Sequence, residues 1–382
     1  MKYGLLWYKK TKNIGDDIQT YASEQFIPKT NYMIDRESIS DFKTKNGEPV
    51  AVIMNAWWMW KKWNWPPSKY IIPKLISIHM TDWTVLNWGS PIKYELLKGI
   101  GKDYLNSYGP VGARDLDTLK TLKRYKIKSY FSGCLTLTLP KQKIIKTKKK
   151  YICLVDVDDD IEQYVREKLC NKKIEIKILT HNLNDDNEKL TWKKRRENVE
   201  KLLKIYQNSQ LVITSRLHVT LPCLAMEVPV LLINDDLQNN RFQPYIKLTH
   251  CLTKNEFLNN KYDLLNPLKN KNDYLEIRNN LINEVNAFIN EMKNRNDKPL
   301  ENFILTKYSE EEKIKWQVEL MKNTLDKWFY ESRNLLAEYN KTIDYLRKVE
   351  QENFDIKHST CWKITRPLRK IKNIIKRIIR RV

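Results

Sequence analysis

The sequence predicts an α/β protein with two doubly wound domains, each a parallel sheet covered by helices. Three observations support this prediction. Short apolar runs recur through the first 235 residues, helical periods separate several of them, and a lysine-rich segment interrupts the alternation once. Near-continuous apolar runs are typical of parallel strands buried on both faces, and strands that alternate with helices indicate βαβ units.

The predicted elements follow one another in a regular order. Apolar runs predict strands at residues 4–8, 50–54, 75–79, 111–113, 151–155, 174–179, 211–214 and 230–233. Helical spacing of apolar residues predicts helices at residues 16–26, 116–125, 161–169, 199–206 and 219–226. Parallel strands need crossover connections, and these helices supply them.

A basic segment divides this pattern into two domains. Residues 141–150 include six lysines and no acidic residue, and a new predicted strand follows at once. We interpret the segment as a linker between an N-terminal domain over residues 1–140 and a second domain over residues 151–305.

Residues 306–357 differ in character from the two domains. From Ile314 to Val349 apolar residues recur in steps of four and three over about five heptads, a pattern typical of a long helix or coiled coil. Two interpretations stay open. Residues 314–349 pair with another copy of the chain to form a homo-oligomer, or they form a single helix packed along its own domain.

Residues 358–382 form a basic tail. The last 20 residues carry nine Lys or Arg and no acid, and their apolar residues from Leu368 to Val382 share one helical face. A helix of this kind lies in the headgroup region of an anionic membrane. We therefore expect residues 361–382 to attach the protein to the inner face of the cell membrane. A solvated tail and a nucleic-acid-binding arm are the alternatives.

Composition limits the function classes further. The net charge is +23, but the linker and the last 20 residues together hold 15 of these charges, so no nucleic-acid partner is expected. The six cysteines include no C-x-x-C pair, which predicts neither a metal site nor a disulfide framework. Cys153 and Cys223 lie in apolar runs and are predicted to be buried. No signal peptide or membrane-spanning segment is predicted, so we expect a cytoplasmic protein.

Three loops follow predicted strands, where open α/β sheets place their ligand crevice. The first contains Asn13, Gly15 and Asp16. Gly15 permits a tight turn, and the helix that follows offers N–H groups to an anion or a sugar hydroxyl. The alternative is that Asp16 only caps this helix.

The second loop places Arg114 directly after a predicted strand. An arginine there turns its planar donor fork toward the crevice, where it binds a carboxylate or phosphate through two hydrogen bonds. The alternative is a surface arginine paired with Asp115 or Asp117.

The third loop contains Ser215, Arg216, Leu217 and His218. A cation and an imidazole lie where a predicted helix begins, and His218 is one of only five histidines in the chain. Histidine titrates near neutral pH and can donate a proton in a reaction. A structural histidine that caps the turn is the alternative.

A tryptophan-rich segment lies between Ala56 and Pro66 and includes Trp57, Trp58 and Trp60. Some of these rings belong to a core. The interleaved lysines and asparagine also suit a stacking platform for an acceptor sugar. A platform for single-stranded nucleic acid would use the same residues, but the surrounding α/β pattern does not favour it.

The three loops resemble motifs of the polysaccharide pyruvyl transferase family. The matching motifs are Asn13-Ile14-Gly15-Asp16, Gly112-Ala113-Arg114-Asp115, and Ser215-Arg216-Leu217-His218 followed by Ala225 and Pro229. The resemblance covers residues 1–245. It implies two Rossmann-like domains in a GT-B-like arrangement, with the active site between them. Asp117 departs from the family, many of whose members have a small hydroxyl residue there.

The resemblance also implies the reaction. Family members transfer a pyruvyl unit from phosphoenolpyruvate to a sugar of a polysaccharide or of its lipid-linked precursor, commonly as a ketal. Carried over, Arg114, Arg216, Leu217 and Ser215 would bind the donor, and His218 would be the general acid. No cofactor or metal is implied, since phosphoenolpyruvate is a substrate.

Two further residues are weaker carry-overs. His79 at the end of a predicted strand and Arg241 after the last one would belong to the cleft. Two other functions remain open. One is a GT-B glycosyltransferase that uses a nucleotide sugar, and the other is a non-catalytic assembly protein that acts through its heptads and tail.

Overall fold

A computed structural model describes residues 1–57, 64–80, 96–142, 150–236, 238–295 and 308–365. The chain divides into two units, Met1–Met321 and Lys322–Val382. The first unit contains two sheets, and every strand pair in both sheets is parallel. An α/β fold with two parallel sheets is therefore confirmed.

The first sheet has six strands in the order β2-β1-β3-β4-β5-β6. Its strands are β1 (Lys2–Trp7), β2 (Tyr32–Asp35), β3 (Val50–Trp57), β4 (Ile71–His79), β5 (Val111–Ala113) and β6 (Ser129–Phe131). Its helices are α1 (Ile14–Glu24), α2 (Gly99–Ser107) and α3 (Leu116–Arg124), with 3-10 turns at Arg36–Asp41 and Leu135–Thr138.

The second sheet has five strands in the order β11-β10-β9-β7-β8. Its strands are β7 (Lys150–Val155), β8 (Ile174–Leu179), β9 (Leu211–Thr214), β10 (Val230–Ile233) and β11 (His250–Leu252). The helices that follow are α4 (Asp159–Leu169), α5 (Trp192–Gln207), α6 (Leu217–Ala225), α7 (Gln243–Ile246), α8 (Lys254–Leu258) and α9 (Tyr274–Asn294), with a 3-10 turn at Asp185–Lys189.

The structure contains all eight strands that the apolar runs predicted. It adds β2, β6 and β11, and each of these is the outermost strand of its sheet. Most of their residues are only half-buried. An edge strand needs no continuous apolar run, so this signal is missing from the sequence.

One hydrophobic core joins the two sheets. It includes Leu5 and Ile18 from the first half and Cys153, Val212 and Cys223 from the second. The predicted burial of Cys153 and Cys223 is confirmed. Because the core is shared, the carboxyl ends of both sheets keep fixed positions at the crevice described below.

The predicted long helix is present as α10 (Glu310–His358), and the short helix α11 (Thr360–Ile364) follows it. Several of the heptad residues are exposed, among them Ile314 at 55% and Leu325 at 54%. In the first unit, Trp316 packs against the core of the first sheet. No helix among the described residues is long and apolar enough to cross a membrane. The tail beyond Thr365 and the linker residues 143–149 lie outside the described residues.

Candidate functional site

Loops at the carboxyl ends of the two sheets meet in one crevice. Residues 13–16 follow β1, Arg114 follows β5, and residues 215–218 follow β9. The backbone of Ile14 donates a hydrogen bond to the carbonyl of His181 at 2.9 Å, which ties the first loop to the second half of the chain. The structure therefore brings together side chains that are far apart in sequence.

Gly15 lies directly against the imidazole of His218. A Cβ atom at Gly15 would lie 2.9 Å from His218 Nδ1 and 3.1 Å from its Cβ. Any larger residue here would displace the ring, because real Cβ atoms do not approach so closely. The sequence predicted a tight turn at Gly15; the structure shows that the missing side chain there also makes room for His218.

Asn13 and Asp16 have different roles at the start of α1. Asn13 is the N-cap, and its Oδ1 accepts from the N–H of Gly15 at 2.9 Å. Asp16 lies inside the first turn, where it accepts from Thr11 Oγ1 at 2.6 Å and pairs with Arg36 at 3.6 Å. The alternative that Asp16 merely caps the helix is wrong, because Asn13 already holds that position.

Arg114 is buried beside the other two loops, with only 4% of its surface exposed. Its Nη1 donates to Gln19 Oε1 at 2.9 Å and lies 3.4 Å from His218 Nε2. The alternative of a surface arginine paired with Asp115 or Asp117 is wrong. In the described part of the chain, Arg114 has no carboxylate within ion-pair distance.

His79 and Asp115 form a pair beside Arg114. His79 Nδ1 lies 2.5 Å from Asp115 Oδ2, and Asp115 also caps α3 by accepting from Thr118 N at 2.8 Å. Burial raises the pKa of Asp115, but the hydrogen bond from His79, the nearby charges of His79 and Arg114 and the N–H of Thr118 together outweigh burial and leave that pKa below its ordinary value. Burial and the charge of Arg114 lower the pKa of His79 to about 4. At neutral pH the pair is thus a neutral imidazole that donates to a carboxylate.

His218 is also neutral at pH 7. Burial lowers its pKa well below the ordinary value, and the charges of Arg114 and Arg241 lower it further. Because Arg114 can only donate, His218 Nε2 accepts and Nδ1 carries the ring proton. The N-cap of α6 is Arg216 and no side chain caps that helix end, so His218 is not a capping residue.

Arg216 and Ser215 are held by the side chain and backbone of Asp156. Arg216 Nε lies 2.6 Å from Asp156 Oδ2, its Nη2 donates to Asn182 Oδ1 at 3.1 Å, and Ser215 Oγ donates to the carbonyl of Asp156 at 2.6 Å. Leu217 is the first residue of α6, so its N–H lies at the open helix N-terminus. Arg216 is thus oriented by a carboxylate, unlike Arg114.

Arg241 lies within electrostatic reach of the same crevice. Burial of its charged end and the nearby charge of Arg114 lower its pKa to about 10, although the residue as a whole is exposed to solvent. Trp58 and Trp60 lie outside the described residues, as does the side chain of Trp57. Among the described residues no cluster of His, Cys, Asp or Glu could hold a metal ion.

The structure reveals crevice residues that the sequence did not predict. Gln19 holds Arg114, the Tyr245 hydroxyl donates to the Arg114 carbonyl, and the fully buried His181 Nε2 lies 2.9 Å from the Tyr206 hydroxyl. The sequence signal for Gln19 is weak: it is a polar residue one helical turn after Gly15 and next to the apolar Ile18. His181 and Tyr206 carry no comparable signal.

A buried ion pair joins α1 to α5. Asp17 receives two hydrogen bonds from Arg195, through Nε at 3.0 Å and through Nη2, and Arg195 also donates to the carbonyls of Tyr8 and Lys9. Burial raises the pKa of Asp17 to about 6, and the hydrogen bond from Arg195 opposes that rise. This pair ties the two halves of the first unit together.

The sequence matches one protein family, described as polysaccharide pyruvyl transferase, over residues 13–236. This span includes all three crevice loops. No curated protein matches the chain. A solved structure of a functionally uncharacterised protein from Klebsiella pneumoniae is 15% identical, and the match covers 66% of this chain and 93% of that one. Its TM-score is 0.36, which is too low to establish a common fold.

Proposed function

The chain belongs to the polysaccharide pyruvyl transferase family, and we propose that it forms a pyruvate ketal on a sugar, with phosphoenolpyruvate as the donor. The sugar is part of a cell-surface polysaccharide or its lipid-linked precursor, and the two halves form a GT-B-like cleft. The proposal rests mainly on the environment of Arg114, whose guanidinium is buried and has no carboxylate partner among the described residues. Such a guanidinium provides a site for an anionic ligand.

The donor has two anionic groups, a carboxylate and a phosphate. Arg114 and Arg216 can each present a planar donor fork to one of them. The open N-terminus of α6 at Leu217 adds backbone N–H groups and a positive helix dipole. Arg216 shares its charge with Asp156, whereas the full charge of Arg114 is available to the ligand.

The reaction balances with one proton donor in the crevice. Protonation of the donor methylene gives a methyl group, and one sugar hydroxyl forms a bond to the adjacent carbon. The carbon–oxygen bond to phosphate then breaks, and a second hydroxyl forms the second bond of the ketal. Of the two hydroxyl protons, one replaces the proton delivered to the methylene and the other leaves on phosphate.

His218 is the proposed proton donor to the methylene. In the absence of ligand its pKa is held well below the ordinary value by burial and by Arg114 and Arg241. A donor with several negative charges opposes the field of these arginines and favours the imidazolium form. Donor binding would therefore bring a proton to His218 at the moment when the reaction needs it.

The test is phosphate release from phosphoenolpyruvate by the purified protein, with and without a glycan acceptor. We expect release only when a suitable glycan is present, and a loss of at least about 100-fold in His218→Ala. His358→Ala, on the exposed face of α10, is the matched control and keeps wild-type turnover. Full turnover by His218→Ala would remove His218 from this role.

A glycosyltransferase with a nucleotide-sugar donor is the second candidate, and one observation favours it. A cavity of about 320 Å³ lies at the carboxyl ends of the second sheet and is lined by Ser215, Asp235 and Asp236. Carboxylates at this position can accept hydrogen bonds from ribose hydroxyls. Thermal stabilisation by nucleotide sugars, with none by phosphoenolpyruvate, would favour this second function.

Two partner interactions complete the proposal. We propose that residues 361–382 bind an anionic membrane and that the heptads of residues 314–349 pair two copies of the chain. Deletion of residues 361–382 is expected to abolish co-sedimentation with phosphatidylserine vesicles while catalysis on a soluble acceptor continues. Analytical ultracentrifugation of the deletion variant measures pairing separately, and a monomer would contradict the coiled coil.

If pyruvylation persisted when Arg114 and Arg216 were both alanine, the chain would instead be an assembly protein.

A further inference from the structure

We propose that Gln19 is a positioning residue, which fixes the Arg114 guanidinium in the crevice while leaving its charge available to an anionic donor. The inference rests on the proposed function, because it concerns how the same site selects its donor. It adds a determinant of donor affinity that lies outside the three crevice motifs.

The contacts of Gln19 fix the direction of its amide. Oε1 accepts from Arg114 Nη1 at 2.9 Å, whereas Nε2 lies 3.4 Å from the Gly15 carbonyl and 3.4 Å from Asp16 Oδ1. Both Nε2 partners are acceptors, so the amide nitrogen must face them and the oxygen must face Arg114. The side chain is 2% exposed, which leaves it little freedom to turn.

The backbone of Gln19 is held as well. Its carbonyl accepts a hydrogen bond from Asn55 Nδ2 at 2.9 Å, and Asn55 lies on the central strand β3. On the other side of Arg114, the Tyr245 hydroxyl donates to the Arg114 carbonyl. Arg114 is therefore held at both ends, its guanidinium by Gln19 and its backbone carbonyl by Tyr245.

Comparison with the neighbouring arginines shows why a neutral partner matters. Arg195 is paired with Asp17, Arg216 with Asp156, and Arg36 with Asp16. A carboxylate at position 19 would orient Arg114 equally well but would neutralise its charge. An amide supplies the same acceptor oxygen without a negative charge. Arg114 is thus held in position, while its positive charge has no carboxylate partner among the described residues.

The test compares Gln19→Glu, Gln19→Met and Gln25→Glu by calorimetric binding of phosphoenolpyruvate, inorganic phosphate and a nucleotide sugar. Gln25 lies at the far end of α1 and bonds to Ala22 and Thr138, so its variant controls for the added charge. We expect Gln19→Glu to weaken phosphoenolpyruvate binding by about 30-fold, Gln19→Met by about 5-fold, and Gln25→Glu hardly at all. In turnover assays the Met variant should raise KM for the donor more than it lowers kcat.

The measured affinities distinguish the role of Gln19 from the identity of the donor. Equal affinities for Gln19→Glu and Gln25→Glu overturn the role of Gln19. If Gln19→Glu does not fold, as its melting curve would show, unchanged donor affinity in Gln19→Met overturns the role instead. If the wild-type protein binds the nucleotide sugar but not phosphoenolpyruvate, and Gln19→Glu weakens that binding, the Gln19 role stands and the proposed donor fails. A wild-type protein that binds none of the three anions overturns both.

Discussion

Replacement of Arg114 by methionine should remove the largest of the charge effects that keep His218 neutral. The two side chains approach to 3.4 Å between Nη1 and Nε2. For two unit charges at that distance and an effective dielectric constant of 20, the repulsion is about 5 kcal/mol. Burial remains the first cause of the lowered pKa of His218, and Arg114 is the next. In Arg114→Met we therefore expect the pKa of His218 to rise toward its ordinary value.

NMR titration of the histidine ring protons measures this change directly. Comparison with His218→Gln assigns the resonance, and Arg166→Met serves as the control because Arg166 is exposed and paired with Glu162. On lowering the pH, the His218 resonance of Arg114→Met should begin to shift at a higher pH than that of the wild-type protein, because the wild-type ring is held neutral by burial and by Arg114. The control should behave like wild type.

The same variant should also bind the donor less tightly. Loss of a charge-assisted interaction with an anion is worth about 1.5–3 kcal/mol, or about 10–150-fold in affinity. An unchanged His218 titration in Arg114→Met would refute the electrostatic reasoning, even if donor affinity fell. A changed titration with full donor affinity would instead refute Arg114 as an anion-binding residue.

Two further predictions concern stability. Burial lowers the pKa of His181 to about 4, so the unfolded chain binds a proton between pH 6.5 and 4 that the folded chain excludes. The contribution of His181 to stability is therefore complete above pH 6.5, and the free energy of unfolding falls by up to about 3 kcal/mol toward pH 4. Urea unfolding at pH 7 and pH 4.5 should show a smaller fall for His181→Gln than for the wild-type protein. Equal falls in the two proteins would contradict the neutral buried ring. Asp17→Asn leaves Arg195 buried without a carboxylate and should lower the free energy of unfolding by about 3–5 kcal/mol. A double variant, Asp17→Leu with Arg195→Met, should recover much of this loss, and a cost below about 1 kcal/mol for the single variant would contradict the pairing.

The central strands and the crevice loops were accessible from sequence for one physical reason. A strand buried on both faces must be apolar throughout, and a parallel sheet collects its ligand residues at the carboxyl ends of such strands. The motifs around Gly15, Arg114 and His218 could therefore be placed at strand ends from the amino-acid pattern alone. Edge strands such as β2 and β11 escape the same reasoning because water covers part of their surface.

Partner choice within the crevice was not accessible in this way. The sequence next to Arg114 offers Asp115 and Asp117, yet the guanidinium turns to Gln19, 95 residues away. Arg216 pairs with Asp156, which follows the neighbouring strand β7. Charge neutralisation depends on which side chains the sheets bring within about 4 Å, and sequence separation carries no information about that distance.

The sequence by itself determined the α/β class, the order in which the central strands appear along the chain, the long C-terminal helix and the three loops that meet at the crevice. These follow from local periodicity and from the rule that links parallel strands to a common ligand edge. Only the tertiary structure decided that Asp16 is not a cap, that Asp115 serves His79, and that Arg114 keeps an uncompensated charge against His218. Those properties arise from burial and from contacts between residues far apart in the chain, and the packing of the two sheets creates both.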